Sequence, residues 1–188
     1  MSACITGWAH SKFGKLEGET VESLIVGVAS EAIEHAGLEA GDIDEIVLGH
    51  FNAGFSQQDF TASLVLQADD NLRFKPATRV ETACATGSAA IHQGLKTIKA
   101  GNARNVLVVG VEQMTTTPGP QIGENLKKAS YLPEDADIPA GFAGVFGQIT
   151  DAYFQRHGDQ SDALAMLAAK NHKNGVGNPY AQMRKDLG

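Results

Sequence analysis

Residues 77–111 read ATRVETACATGSAAIHQGLKTIKAGNARNVLVVGV. The pattern changes twice along this stretch. ATRVET, 77–82, has the composition of a strand. From about 85 to 100 the apolar residues recur at helical spacing, with Ile91, Leu95 and Ile98 on one face. Lys96 and Lys99 stand near the carboxyl end of that helix, where its dipole favours cations, and Gly101-Asn102 ends it. NVLVVGV, 105–111, is a nearly continuous β-branched run, as expected of a strand covered by helices on both faces. Strand, helix and strand in this order predict a unit of parallel sheet.

The alternation extends toward the amino end. ACITGW, 3–8, predicts a short buried strand. Residues 20–36 predict a helix, with Thr20 as N-cap and Glu22 in the first turn. Leu24, Val28, Ala32 and Ala36 fall on one face, and Gly37 stops it. DEIVLGH, 44–50, predicts a strand, and residues 60–69 a short helix. The sum is βαβαβαβ, an α/β class with a largely parallel sheet. From about Thr115 the rhythm breaks. Thr, Pro and Gly follow one another, then the charged stretch ENLKKASYLPEDAD. Helices are predicted over 142–157 and 161–173, and the end, NHKNGVGNPYAQMRKDLG, is polar and turn-rich.

Composition narrows the function. Fifteen Lys+Arg against 22 Asp+Glu leave a net charge of −7, which nucleic acid or an anionic membrane would repel. No apolar run approaches the roughly 18 residues of a membrane span. The start, MSACITGWAHSKFGK, lacks the charged-then-apolar order of a secretory signal. Cys4 and Cys84 are too few for a disulfide framework or a four-ligand zinc site. No calcium-loop or other metal spacing and no phosphate-binding glycine motif occur. A soluble, cytoplasmic protein with no metal is the expectation. Glycine is in excess, 21 of 188 residues, which points to tight turns or close backbone packing.

Cys84 stands where a strand ends and a helix begins. A thiol there faces unpaired N–H groups and the positive end of a helix dipole, which favour the nucleophilic thiolate. Ala83, Ala85, Gly87, Ser88, Ala89 and Ala90 around it are small, leaving room for a substrate to reach the sulfur. The backbone N–H of Cys84 suits an oxyanion during acyl transfer. A free cysteine is also a common inert core residue, and on these residues alone both readings stand. Of the histidines, His92 lies eight residues along the same helix, about 12 Å away at 1.5 Å per residue, and reads as a packing or interface residue. His50 ends a strand of the parallel sheet, where ligand crevices form. His35 suits a helix end, and His172 with Lys173 a solvated loop or a nucleotide contact. Lys127 and Lys128 read as a solvated face or as contacts to a phosphate.

VETACATGSAA, followed by HQG and VLVVGVEQM, resembles the nucleophile region of thiolases. In them a Cys at the start of a buried helix takes the acyl group from an acyl-CoA, which gives Cys84 that role. Gly110, Glu112 and Met114 match the family's Gly-x-Glu-x-Met ending. KNHKNGVGNPYAQM, 170–183, resembles the loop region of the sterol-carrier-protein-2 type and its bacterial and archaeal relatives. GFAGVFGQITDAYFQRHG, 141–158, resembles the helix before it, so the resemblance covers the whole chain.

The resemblance implies two similar βαβαβββ halves in a five-layered αβαβα body, with a loop domain inserted in the first half. Residues 1–114 then form most of the first half, a βαβαβ unit around the nucleophile helix, and 115–188 the start of the loop domain. It also implies coenzyme A as substrate, no covalently bound cofactor, a homodimer, and a place in lipid metabolism. No residue is assigned to the coenzyme A contacts. The family's chemistry further requires a His from a Gly-His-Pro motif and a second Cys from a Cys-x-Gly motif, with a His-Asp-Cys-Phe motif in the subgroup. None of these occurs here. The chain is therefore expected to be inactive in turnover without a missing carboxyl-terminal half or a partner chain. Two other readings remain open at this point: a β-ketoacyl-synthase-type condensing enzyme, and an inactive thiolase-like scaffold or subunit of a complex.

Overall fold

A computed structural model describes residues 2–188. They divide into two compact units. The first is Glu17–Thr116 with the residues up to Ser11; the second is Lys12–Leu16 and Thr117–Gly188.

In the first unit, helix α1 (Val21–His35) starts where Thr20 caps it. Thr20 Oγ1 accepts from Ser23 N at 3.1 Å, and Ser23 Oγ accepts from Thr20 N at 2.8 Å. Such a reciprocal cap is worth about 1 kcal/mol. The helix ends at Gly37, whose φ of +66° suits glycine. Its buried stripe is Val21, Ile25, Ala29 and Ile33. The expected face of Leu24, Val28, Ala32 and Ala36 is only half-buried. The two stripes lie one residue apart, about 100° around the axis, and the helix turns its larger β-branched side chains to the core.

The sheet has three parallel strands in the order β2-β1-β3: β1 (Glu45–Gly49), β2 (Ala77–Val80) and β3 (Val106–Gly110). Central β1 is closed on both faces, and Ile46, Val47 and Leu48 have no exposed surface. Burying each is worth about 1.5–3 kcal/mol. Ile46, Leu48, Leu107 and Val109 join the α1 stripe, with Ala62 and Val65 of a 3-10 helix, Thr61–Ala68. Val47 faces the other way by alternation, toward α2 (Thr86–Lys99). That helix seats Thr86, Ala90, Gly94 and Thr97 on the sheet, while Ile91 is 46% exposed. Asp44 ties the amino ends of β1 and β3: its Oδ2 accepts from Arg104 N at 2.8 Å and Asn105 N at 3.0 Å. These donors, Asn105 first, hold its carboxyl below the ordinary range.

The strand expected at 3–8 does not form. The sheet edges are β2 and β3, and residues 3–8 join neither. Ile5 is 84% exposed. Instead the segment follows α1: Trp8 N donates to His35 Nδ1 at 3.4 Å. A β-carbon on Gly7 would lie 2.6 Å from Ala32 O and 2.7 Å from Ala36 Cβ, so only glycine permits this approach.

The second unit contains no strand among its described residues. Its helices are α3 (Gly119–Lys127), α4 (Leu132–Asp135), α5 (Gly141–His157) and α6 (Ser161–Val176). The last two take the places expected for 142–157 and 161–173. The first two lie in the stretch read as broken and charged. Pro120 and Pro133 sit in their first turns, where the missing N–H costs nothing. Lys127 Nζ donates to Ala136 O at 2.9 Å and approaches Glu124 at 3.2 Å, so it serves this unit's own structure. Gly158, with φ of +82°, ends α5.

Candidate active site

The carboxyl ends of the three strands are level: Gly49 pairs in register with Val80 and with Gly110. In open parallel sheets this is the end where ligands bind. Three segments leave it, carrying Cys84 from β2, His50 from β1 and Glu112 from β3.

Cys84 lies in one 3-10 turn, Ala83–Ala85, between β2 and α2, and it is exposed. Ala83 before it adopts φ of +47°, a left-handed conformation unusual for a residue with a side chain. The turn is held from both sides. Thr86 Oγ1 donates to Ala83 O at 2.6 Å and accepts from Thr82 N at 2.9 Å. Ala83 N donates to the Glu81 carboxylate. The small residues foreseen around the thiol leave it open: a β-carbon on Gly87 would meet nothing within 4 Å. Among the described residues no hydrogen bond reaches the thiol of Cys84, and no histidine is paired with it.

His50 is fully buried. Its Nδ1 lies 3.0 Å from Thr61 Oγ1, and its Nε2 faces Glu112 Oε1 at 3.3 Å. The second approach lacks hydrogen-bond geometry, so both atoms remain unsatisfied despite their closeness. Glu112 Oε2 accepts from Asn52 N at 3.0 Å, and Asn52 Oδ1 from Ser56 N at 2.8 Å. Arg79 of β2 closes the group: its Nε donates to His50 O at 2.9 Å and its Nη2 to Phe51 O at 3.1 Å. Its Nη1 pairs with Asp59. The loop so held runs left-handed through Asn52, Ala53 and Gly54.

His50 ends a strand where ligand crevices form in such sheets, but it is enclosed in a polar network. Glu112 carried only a motif position, and its partners lie 60 residues away along the chain. No local pattern marks Thr86; its two hydroxyl contacts within the turn do. His92 is exposed on α2, as are His10, His35 and His157, while His172 of α6 is half-buried. No group of three or more His, Cys, Asp or Glu suited to a metal ion is present among the described residues. None of their helices is long and apolar enough to cross a membrane.

Comparison with known proteins places this arrangement. An acetyl-CoA acetyltransferase of Methanocaldococcus jannaschii is 35% identical over 179 residues, covering 95% of this chain and 45% of that protein. The Bos taurus sterol carrier protein 2 is 29% identical over 121 residues, covering 59% of this chain and 22% of its own. Among solved structures, an Ltp2-ChsH2(DUF35) aldolase superposes with a TM-score of 0.74 at 22% identity, covering 95% of this chain and 44% of that one. This last similarity speaks for the fold, α/β with the thiolase-like arrangement of the parallel sheet. The chain spans about half the length of the acetyltransferase it matches. The sequence profile described as "Thiolase, N-terminal domain" matches residues 3–187, and the chain belongs to the thiolase family.

Proposed function

We propose that this chain is the nucleophile-bearing part of an acyl-CoA acyltransferase, with Cys84 as the acylated residue and coenzyme A thioesters as substrates. The observation that carries the reading is the exposed thiol on a left-handed turn between β2 and α2, at the ligand-binding end of the sheet. The names of the relatives support the acyl-CoA class. Residues 1–114 are taken as the amino-terminal half-domain and 115–188 as part of the loop domain. The unit boundary after Thr116 supports that division, while Lys12–Leu16 groups with the second unit.

In the first transfer Cys84 Sγ bonds to the thioester carbonyl carbon, and the bond from that carbon to the coenzyme A sulfur breaks. Coenzyme A leaves as a thiolate and takes up the proton that Cys84 gave away. In the second, either coenzyme A thiol attacks the acyl-cysteine, or the enolate of an acetyl-CoA forms a carbon–carbon bond with it. Both return Cys84 to its starting form. The enclosed His50 does not meet the thiol as a base, so the proton transfers fall to groups outside this chain: a carboxyl-terminal half, a partner chain, or a second copy in a homodimer. A reducing compartment such as the cytoplasm keeps both cysteines as thiols.

The test is incubation of the chain with acetyl-CoA, followed by intact mass and peptide mapping. An acetyl group on Cys84, absent from Cys4 and lost in Cys84→Ser, is the expected result. A chain that acquires no acetyl group, yet binds a partner protein tightly, is a scaffold and the proposal fails.

A further inference from the structure

We infer that Thr86 is a positioning residue for the Cys84 thiol, holding it through the strained Ala83 turn. The inference rests on the reading of Cys84 as nucleophile and adds a residue that acts through another. Thr86 is 7% exposed, and its one hydroxyl makes two hydrogen bonds. It donates to Ala83 O and accepts from Thr82 N, so both peptide groups flanking the Thr82–Ala83 pair are tied to the same oxygen. With both bonds made, the hydroxyl has no rotational freedom left. The residue between these anchors is the one at φ +47°, and the thiol follows it directly in the chain.

Thr86 is itself fixed from below. A β-carbon on Gly49 would lie 3.0 Å from Thr86 Cγ2 and 3.0 Å from Thr86 O, so the first turn of α2 rests on the bare backbone at the end of β1. The thiol is thus referred to the central strand through Gly49, Thr86 and Ala83 in turn. Valine keeps the shape of threonine and removes the hydroxyl. It leaves Thr82 N and Ala83 O without this partner and frees Ala83 to return to ordinary backbone. Serine keeps the hydroxyl.

The experiment uses the whole 188-residue chain and follows acetylation of Cys84 by acetyl-CoA. Iodoacetamide labelling of Cys84 and Cys4 in the same molecule gives an internal reference. Thr86→Val is expected to slow both reactions of Cys84 at least about tenfold, the rate equivalent of losing the hydroxyl's two hydrogen bonds, with Cys4 labelling unchanged. Thr86→Ser recovers the rate to within about threefold of the parent, since the hydroxyl returns. Ala83→Gly introduced into Thr86→Val also recovers it, because glycine takes the left-handed turn without help. That rescue separates positioning from a general loss of stability, and it carries the test if Thr86→Val alone does not fold. Equal Cys84 rates in the parent and Thr86→Val, or no rescue by glycine, overturn the role of Thr86 while leaving Cys84 as nucleophile. A parent chain whose Cys84 is not acetylated overturns both.

Discussion

Buried polar residues are expensive unless their partners are complete, and the site end of the sheet concentrates several of them. His50 sits at the end of β1 with Thr61 on one side of its ring and Glu112 on the other. Glu112 in turn supplies the acceptor that holds Asn52 N, the first left-handed residue of the loop after β1. Replacing Glu112 by Ala removes that acceptor and the carboxylate that lies 3.3 Å from the buried His50 ring. The expected cost is about 2–3 kcal/mol, read as a lower urea midpoint with an unchanged slope. Glu112→Gln keeps a carbonyl oxygen for Asn52 and loses less. A Glu112→Ala chain within about 0.5 kcal/mol of the parent, the range of a neutral surface substitution, would show that the network does not brace the fold.

Helix α2 touches the sheet through its small residues, and the spacing it needs can be tested. A β-carbon at Gly94 would lie 3.1 Å from Val108 Cγ2 and 3.2 Å from Val106 Cγ1. Gly94→Val therefore overpacks the interface and should cost about 1–3 kcal/mol despite valine's better helix propensity. Gly27 of α1 has nothing within 4 Å of a β-carbon. Gly27→Ala should stabilise by up to about 1 kcal/mol, and thermal melts of the two variants should move in opposite directions. If Gly94→Val melts no lower than the parent, the helix is not held at this distance. At this scale the sequence was informative where patterns are local. Strands 45–49, 77–80 and 106–110, helix α2 and the Thr20 cap all follow from residues near one another. Long-range pairing was not legible. ACITGW has strand composition but finds no ladder, and the face of α1 that turned inward depended on what it met. The approach of Glu112 to His50 spans β2 and α2 in the chain, and no spacing rule reaches that far. The junction and small neighbours of Cys84 suit an inert core thiol as well, and the motif resemblance is what points to a nucleophile, whereas the part of Thr86 rests on hydroxyl contacts across the turn that no spacing shows.

The match covers 95% of this chain and 45% of its acetyltransferase relative, and this proportion bears on what the chain can catalyse alone. The proposed chemistry needs a nucleophile and, in both transfers, a group that takes and returns protons. Such a group contributes about 10²–10⁴-fold. Here His50 is closed off by Thr61 and Glu112, and no histidine among the described residues is paired with Cys84. The chain also lacks the Gly-His-Pro and Cys-x-Gly motifs that the resemblance assigns to the second half. One slow acylation of Cys84 is therefore expected, without turnover. Thiolysis of acetoacetyl-CoA by the 188-residue chain should stay at the level of Cys84→Ser, measured as loss of substrate absorbance in the presence of coenzyme A. Adding a separately produced polypeptide that carries the two missing motifs should raise the rate, and Cys84→Ser should abolish the gain. Rapid thiolysis by the chain alone would mean that a base within these residues serves Cys84, and the division of labour between two halves would have to be abandoned.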